Sequence, residues 1–529
     1  MNHLRMNRFI CLIIGLTLVF TLVGCGSQAS DQTDSAPTKG GTLKVAYASE
    51  PDTLDWSFTS ATATRDIGWN IFETLFALDK NYTIKPLLAT GYKVSSDKKT
   101  YTITLRKHVP FQDGSVMSAD DVIASLDRWR KVSSVGQITN SYIKKVSKLN
   151  DQTLRVDLKT PYSSFIESMS APKSALAIIP EKIAKQALDQ PLNTKQLIGT
   201  GPYQFAKWDK GQKIELKRFK KYASRKETNW GGLTGKKTAY FDKVDYLIVK
   251  DTTVRQNGLK TGLYDYAQGI PSDLYDTLKN SKQVAPVTYI NGYSTLTPDK
   301  SEPPFNDLKA RQALNAALNK KAIAQATYGN QKFYQLDGAL FDPSQKQLYT
   351  KEGTAGYLAY NKAKAKRLLK ESSYDGKPLT IIYSNDNDNY KRIAEIVKQQ
   401  MEEVGFKVNL VPYEWTTFLA KWKDPKNWDL EVVGWSTRFS PSELGMLVLN
   451  SNNSGWYESQ KWSSLLTQWG KADTDVQRKA VLKQMNETVY SELPFYKIAN
   501  ESSFDLRSTK LHYDSWLGER FWNTWKTSE

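Results

Sequence analysis

Between Leu379 and Val411 the chain carries the pattern that most limits what it can fold into. An apolar, β-branched run at Leu379–Tyr383 is followed by a helical pattern from Tyr390 to Val404 and by a second strand pattern from Phe406 to Val411. The helical stretch sets Ile393, Ile396, Val397, Met401 and Val404 on one stripe and stops at Gly405, a residue suited to the left-handed conformation that ends helices. A helix of this length between two strands makes them parallel and joins them by a right-handed crossover. The next strand pattern, Leu430–Trp435, delivers Trp435, Ser436, Thr437, Arg438 and Phe439 into a loop at its carboxyl end. In open α/β sheets ligands gather at those ends.

The rest of the chain alternates in the same way. Thr42–Tyr47 is a period-2 strand that ends in the loop Ser49–Asp55, a natural ligand contact. Helical spacing runs from Ile67 to Leu78, and Tyr101–Arg106 alternates as a strand. After the turn at Phe111–Gly114, Ser118 is placed to cap a helix reaching about Arg130. Two further strands meet at Leu149–Gln152, the second with Leu154, Val156 and Leu158 on one face. Gly199 and Gly201 precede a hairpin containing Lys213–Arg218, and their expected service is a tight turn. Asp307–Thr327 reads as two short helices with Leu308, Leu314, Ala317 and Leu318 inward and Asn319 as the second cap, and Asn361–Glu371 is a lysine-faced helix. Helical stretches cover Lys461–Tyr490, and beyond Pro494 an irregular, tryptophan-rich segment is expected.

The amino terminus decides the compartment. Arg5 and Arg8 precede an apolar run from Phe9 to Val23 that is shorter than the roughly 20 residues a spanning helix needs. This is signal-peptide architecture. The run closes on Leu22-Val23-Gly24-Cys25, which resembles a bacterial lipobox. That resemblance implies cleavage before Cys25 and a diacylglycerol on its sulfur, anchoring the protein to the outer face of the cell membrane. Gly26–Gly40 is polar and reads as a flexible tether.

Past the signal about 500 residues remain, well beyond the ~250–300 at which one core stops growing, so two or more lobes are expected. Cys11 and Cys25 are the two cysteines, which leaves the folded body no thiol for a disulfide, a metal or a nucleophile. With His108 and His512 as its histidines, a histidine-rich metal site is excluded, and no metal or cofactor is expected. The formal charge of +18 is spread over scattered lysines rather than one basic element, which together with export argues against nucleic acid as a partner. A hydrolase would need a GxSxG elbow, an HExxH pair or a reactive cysteine, and the mature chain has none. Asp120 and Asp121 sit together at a helix start, where the dipole accounts for them. The chain is therefore read as a binder, not an enzyme. Ten of its fifteen tryptophans lie at or after Trp415, so some indoles are expected to line a cleft.

An ordered series of segments then resembles one family over essentially the whole mature chain: the family 5 extracellular solute-binding proteins of ABC importers for peptides, nickel chelates and opines. Gly41-Thr42-Leu43 opens the series, followed by Tyr101–Leu126 with its LRKHVPFQDG turn and SADDVIASL helix, Gly199–Tyr203, Ala310–Leu314, and the Tyr360–Leu369 helix. The resemblance implies a type II periplasmic-binding-protein-like Venus flytrap with two lobes and an additional inserted domain. Lobe I would combine 41–66, 191–297 and 498–529, with the inserted domain at 67–190 and the other lobe at 298–497. It also implies a monomer working with permease and ATPase subunits on separate chains.

Site residues come from the same source. Val411–Leu419 resembles the stretch that in oligopeptide receptors supplies a pocket tryptophan, here Trp415, and Val433-Gly434-Trp435 resembles the strand that supplies another. Tyr47 and the loop after it would face them from the opposite lobe. Three positions after the second tryptophan those receptors place an aspartate that holds the peptide ammonium, whereas here the residue is Arg438, flanked by Ser436, Thr437 and Phe439. A cation facing an ammonium in a dehydrated cleft is repulsive. Either Arg438 grips a ligand anion or it pairs with a nearby carboxylate such as Glu443. Peptides, opine-like conjugates, carboxylate-rich metal chelates and peptide signals all stay open.

Overall fold

The computed structural model describes residues 37–527 apart from 60, 174, 445–446, 448–454, 515 and 517; the signal, Cys25 and most of the tether lie outside the described residues. One sheet runs through both lobes. In spatial order its path is Lys407–Tyr413, Pro378–Ser384, Leu430–Ser436, Val284–Pro298, Tyr496–Ser508, Tyr266–Ala267, Thr42–Tyr47, Lys243–Ile248, Lys213–Arg218 and Tyr203–Asp209. The crossover unit is present as the pattern demanded, with Pro378–Ser384 parallel to Lys407–Tyr413 and the helix Asp388–Glu402 between them. Ile393, Val397 and Met401 bury into a core with Leu296, Leu314, Ile381 and Val432. The other lobe packs Leu43, Val45, Ile67, Ile71 and Phe521 into a separate core. A second, antiparallel sheet of Ala89–Val94, Thr100–Leu105, Thr153–Leu158 and Ile143–Asn150 carries a third core around Tyr101, Leu154 and Trp129.

Two long antiparallel strands, Val284–Pro298 and Tyr496–Ser508, cross from one lobe to the other. Their register shifts between Ile290 and Gly292 and again between Ser294 and Thr295, so the ladder is irregular where the lobes meet. Gly292 has φ +131°, and a Cβ there would overlap the Trp435 carbonyl oxygen and lie 2.6 Å from the Ser436 Cα. Only glycine permits this approach of the second lobe's site strand.

Several expectations change. The helix starts at Thr62 and ends at Ile71, with Phe76–Leu78 extended as a strand, so the spacing from Ile67 to Leu78 was half helix and half sheet. The expected boundary at 66/67 consequently falls inside this helix, whose Ile67 and Ile71 belong to the first lobe's core. Gly199 and Gly201 serve a close approach rather than a turn, because a Cβ on Gly201 would lie 2.6 Å from the Asn70 carbonyl oxygen and one on Gly199 would overlap that of Ile71. The hairpin itself turns at Gly211, φ +72°. Leu308 is exposed, as the first helical residue after the Asp307 cap, while Leu314, Ala317 and Leu318 are buried. The segment after Pro494 is not irregular at first; it is the strand Tyr496–Ser508. Ser118 caps Ala119–Val132 in a reciprocal box with Asp121, and Asn319 caps Lys320–Tyr328, both as expected.

Candidate ligand cleft

The site strand Leu430–Ser436 pairs with Val284–Pro298, which sets Trp435 opposite Tyr293. The Trp435 indole donates to Thr295 Oγ1 at 3.1 Å and carries the Arg438 guanidinium 5.5 Å above its ring. The Arg438 carbonyl accepts from Gln345 Nε2 at 2.6 Å, which fixes the backbone of the loop. Its side chain is 5% exposed, its Nε has no acceptor, and it makes no ion pair among the described residues. Glu443 uses its two oxygens on backbone, taking the N–H of Phe439 at 2.7 Å and that of Lys173 at 3.3 Å. It acts on Arg438 through space, partly offsetting burial, which lowers the pKa of the guanidinium. The Ser436 and Thr437 hydroxyls are buried without a partner.

Two further cations face Arg438 from across the lobe boundary. Burial holds the Lys173 ammonium well below the usual lysine range, and the charges of Arg438 and Arg65 push the same way. Arg65 lies in the helix Thr62–Ile71 and donates through Nε and Nη2 to Asp66 Oδ1 at 2.9 and 2.8 Å. Arg520 rests between Trp516 and Trp522, at 5.1 and 5.6 Å from their rings, with Nε and Nη1 lacking acceptors. Beside it Glu519 is fully buried, and burial followed by the charges of Asp66 and Asp505 raises its carboxyl well above the ordinary value. These residues meet because the last segment folds back over the first lobe, where the Phe521 N–H donates to Asn70 Oδ1 at 3.2 Å.

The remaining residues named from the sequence lie as follows. Tyr47 is in the first lobe's core, edge-on to Tyr246 at 5.5 Å, with only its buried, unpartnered hydroxyl near Glu519 and Asp66. Trp415 is 36% exposed and stacks on Phe418; no ring contact joins it to Trp435 or Tyr47 among the described residues. Phe439 stacks on Tyr82 at 5.7 Å and lines a 260 Å³ cavity with Leu78, Ile84, Ala171, Leu348, Glu167 and Arg478. Sequence reasoning missed Arg65, Asp66, Lys173, Glu519 and Arg520. None stands in a recognisable local motif, and only the tryptophans flanking Arg520 hinted at a cleft wall.

Comparison with known proteins bears on the family and the fold. Residues 83–457 match the bacterial extracellular solute-binding proteins, family 5. A probable peptide ABC transporter periplasmic-binding protein, y4tO of Sinorhizobium fredii, is 28% identical over 455 residues, covering 82% of this chain and 84% of that protein. The glutathione-binding protein GsiB of Salmonella choleraesuis is 27% identical over 485 residues, covering 88% and 90%. In fold, the oligopeptide-binding protein AppA from Bacillus subtilis, solved with a nonapeptide, superposes with a TM-score of 0.80 at 22% identity, covering 93% of this chain and all of that one. A two-lobed α/β body with charged groups buried where its lobes meet, matched over most of its length, identifies the chain as a member of the bacterial extracellular solute-binding proteins, family 5.

Proposed function

We propose that this protein is the solute-binding component of an ABC importer, tethered to the outer face of the cell membrane by lipid on Cys25, and that it captures a peptide or peptide-like amino-acid conjugate carrying an anionic group. It binds its ligand without transforming it, as a monomer, and hands it to permease and ATPase subunits on other chains. Lobe I, which includes the whole helix Thr62–Ile71 along with 191–297 and 498–529, and the lobe 298–497 close on the ligand, with the domain of the four-stranded sheet added to the first. Trp435, Ser436, Thr437 and Arg438 form the second lobe's wall, Tyr47 contributes its hydroxyl from the first, and Trp415 and Phe439 flank the entrance and the adjoining cavity. The names of the relatives support the peptide class: y4tO is a probable peptide ABC transporter periplasmic-binding protein and GsiB a glutathione-binding protein.

The observation that carries this reading is Arg438 itself, a buried guanidinium that makes no ion pair among the described residues, set against Lys173 and Arg65. A ligand carboxylate placed there satisfies its donor fork and screens the repulsion. Arg438→Ala leaves that anion without a partner, at a cost of about 3–5 kcal/mol, so affinity falls by roughly two to four orders of magnitude. Calorimetric titration of native and variant protein with di- to pentapeptides, glutathione, opines and nickel chelates tests it. A loss under tenfold would sink the anion grip. For the anchor, Cys25→Ala releases the protein into the medium, and membrane retention without attached lipid would contradict it.

A further inference from the structure

Across the lobe boundary from Arg438 stands a site of opposite sign. Glu519 has no exposed surface, and among the described residues neither carboxylate oxygen has a hydrogen-bond donor. It faces Asp66, whose Oδ1 takes both Arg65 bonds while its Oδ2 has no donor among the described residues. The approach is built in: Gly518 passes so close that a Cβ there would lie 2.5 Å from Asp66 Oδ1. A third orphan oxygen, the Tyr47 hydroxyl, shares the neighbourhood. Nearby Asp505 and Tyr246 are already engaged: Asp505 accepts from Tyr266 at 2.6 Å and from the Gly269 N–H at 2.8 Å, and the Tyr246 oxygen accepts from Asn70 at 3.0 Å.

Two facing carboxylates without a donor between them require a proton or a cation. A shared proton serves one contact, whereas an ammonium presents three donors and so matches Glu519, Asp66 Oδ2 and Tyr47 together. Within the same cluster Arg438, Lys173 and Arg520 make no ion pair among the described residues, and Glu443 acts on Arg438 and Lys173 through space. We propose that Asp66 and Glu519 receive the ligand's ammonium while Arg438, Lys173 and Arg520 hold its carboxylates, so that the preferred ligand is an amino-acid derivative with one ammonium and at least two carboxylates, of the γ-glutamyl-peptide or opine kind. The remainder of such a molecule extends into the cavity between Tyr82 and Phe439, since Arg520 lies 5.1 Å from the Trp516 ring, which is itself 5.1 Å from that of Tyr82. This inference rests on the solute-receptor reading above.

The test uses paired probes: glutathione, γ-glutamylglycine and trialanine, each as the free amine and as its N-acetyl twin, titrated calorimetrically into native protein and into Glu519→Gln. In native protein acetylation weakens binding on the order of a hundredfold, and the two dicarboxylates bind more tightly than trialanine. Glu519→Gln loses a similar factor for the free amines and little for the twins. Equal binding of free amine and twin by native protein overturns the ammonium assignment and leaves the receptor reading standing; this comparison decides even if the variant fails to fold. Preference for trialanine overturns the dicarboxylate class. Failure of native protein to bind any probe, together with failure on the wider panel above, overturns both readings.

Discussion

Glu167 couples the domain of the four-stranded sheet to the second lobe, and its removal shows whether that contact belongs to closure. This domain is bound firmly to the first lobe: Arg128 pairs with Asp55 at 3% exposure for both side chains, and the Gln112 amide donates to the carbonyls of Ile71 at 3.0 Å and Tyr203 at 2.8 Å. Its links to the second lobe are fewer and wetter. Glu167 Oε2 accepts from Arg478 at 3.0 Å and Oε1 from the Trp469 indole at 3.3 Å, with Arg478 lying 4.7 Å over the same indole. Ser163 donates to Asp473 at 2.8 Å, and Lys98 pairs with that aspartate at the rim. Glu167→Ala deletes two hydrogen bonds to a charged acceptor, each typically about 1.5–3 kcal/mol. Arg478 is 24% exposed and rehydrates, which brings the net loss to roughly 2–3 kcal/mol. If the pair forms only when the lobes meet, this loss enters the closing equilibrium and weakens ligand affinity about 30- to 150-fold, mostly through faster release. Calorimetry for Kd, stopped-flow release and small-angle scattering with saturating ligand measure it. Unchanged affinity and an unchanged scattering profile would mean that the contact survives opening and that the domain does not part from the second lobe.

Two further outcomes concern stability. Lys237 and Glu73 form an ion pair with no exposed surface, in which Glu73 also accepts from Tyr222 at 2.8 Å and Thr200 at 3.1 Å, so Lys237→Met costs about 3–5 kcal/mol while Glu73→Gln/Lys237→Met recovers much of it. Denaturant unfolding followed by tryptophan fluorescence reads this, because Trp522 lies 4.5 Å from Lys237, and a single-variant loss under about 1 kcal/mol would refute it. The second outcome is a pH dependence: burial lowers the Lys320 ammonium to about 7, whereas the unfolded chain keeps that proton to about 10.4. The unfolded state therefore binds more protons between these values, and stability rises with pH from about 7 to 9, by at most about 1.4 kcal/mol per pH unit for this lysine. Melting curves across that range should rise less steeply for Lys320→Met, and parallel slopes would remove Lys320 as the cause.

Elements whose partners lie nearby in sequence were legible from periodicity and caps. The Ser118 box, the Asn319 cap and the Leu379–Val411 crossover depend on residues within a few turns of one another, and all are present. Periodicity failed where distant backbone overrides local preference. The apolar spacing of Ile67–Leu78 suits a helix, yet Gly199 and Gly201 press against its end at Ile71 and the following residues pair with Ile84–Pro86. The long strands Val284–Pro298 and Tyr496–Ser508 escaped notice because they change surroundings midway, passing from one lobe's core to the other's, so no single alternation runs through either.

The site divides along the same line. Trp435 and Arg438 could be named as candidates because one strand and its loop carry both, and the replacement of an expected acid by a cation stood out within a short segment. Compartment, α/β class and family likewise follow from contiguous residues. Tertiary structure alone brought Asp66 and Glu519 together, placed Lys173 and Arg65 against Arg438, and turned Phe439 toward Tyr82. Spacing within one segment encodes which side of a helix or strand is apolar. It does not encode which charges from opposite ends of a 529-residue chain share a buried space, because that depends on how separately formed cores pack and on the closing segment laid across them.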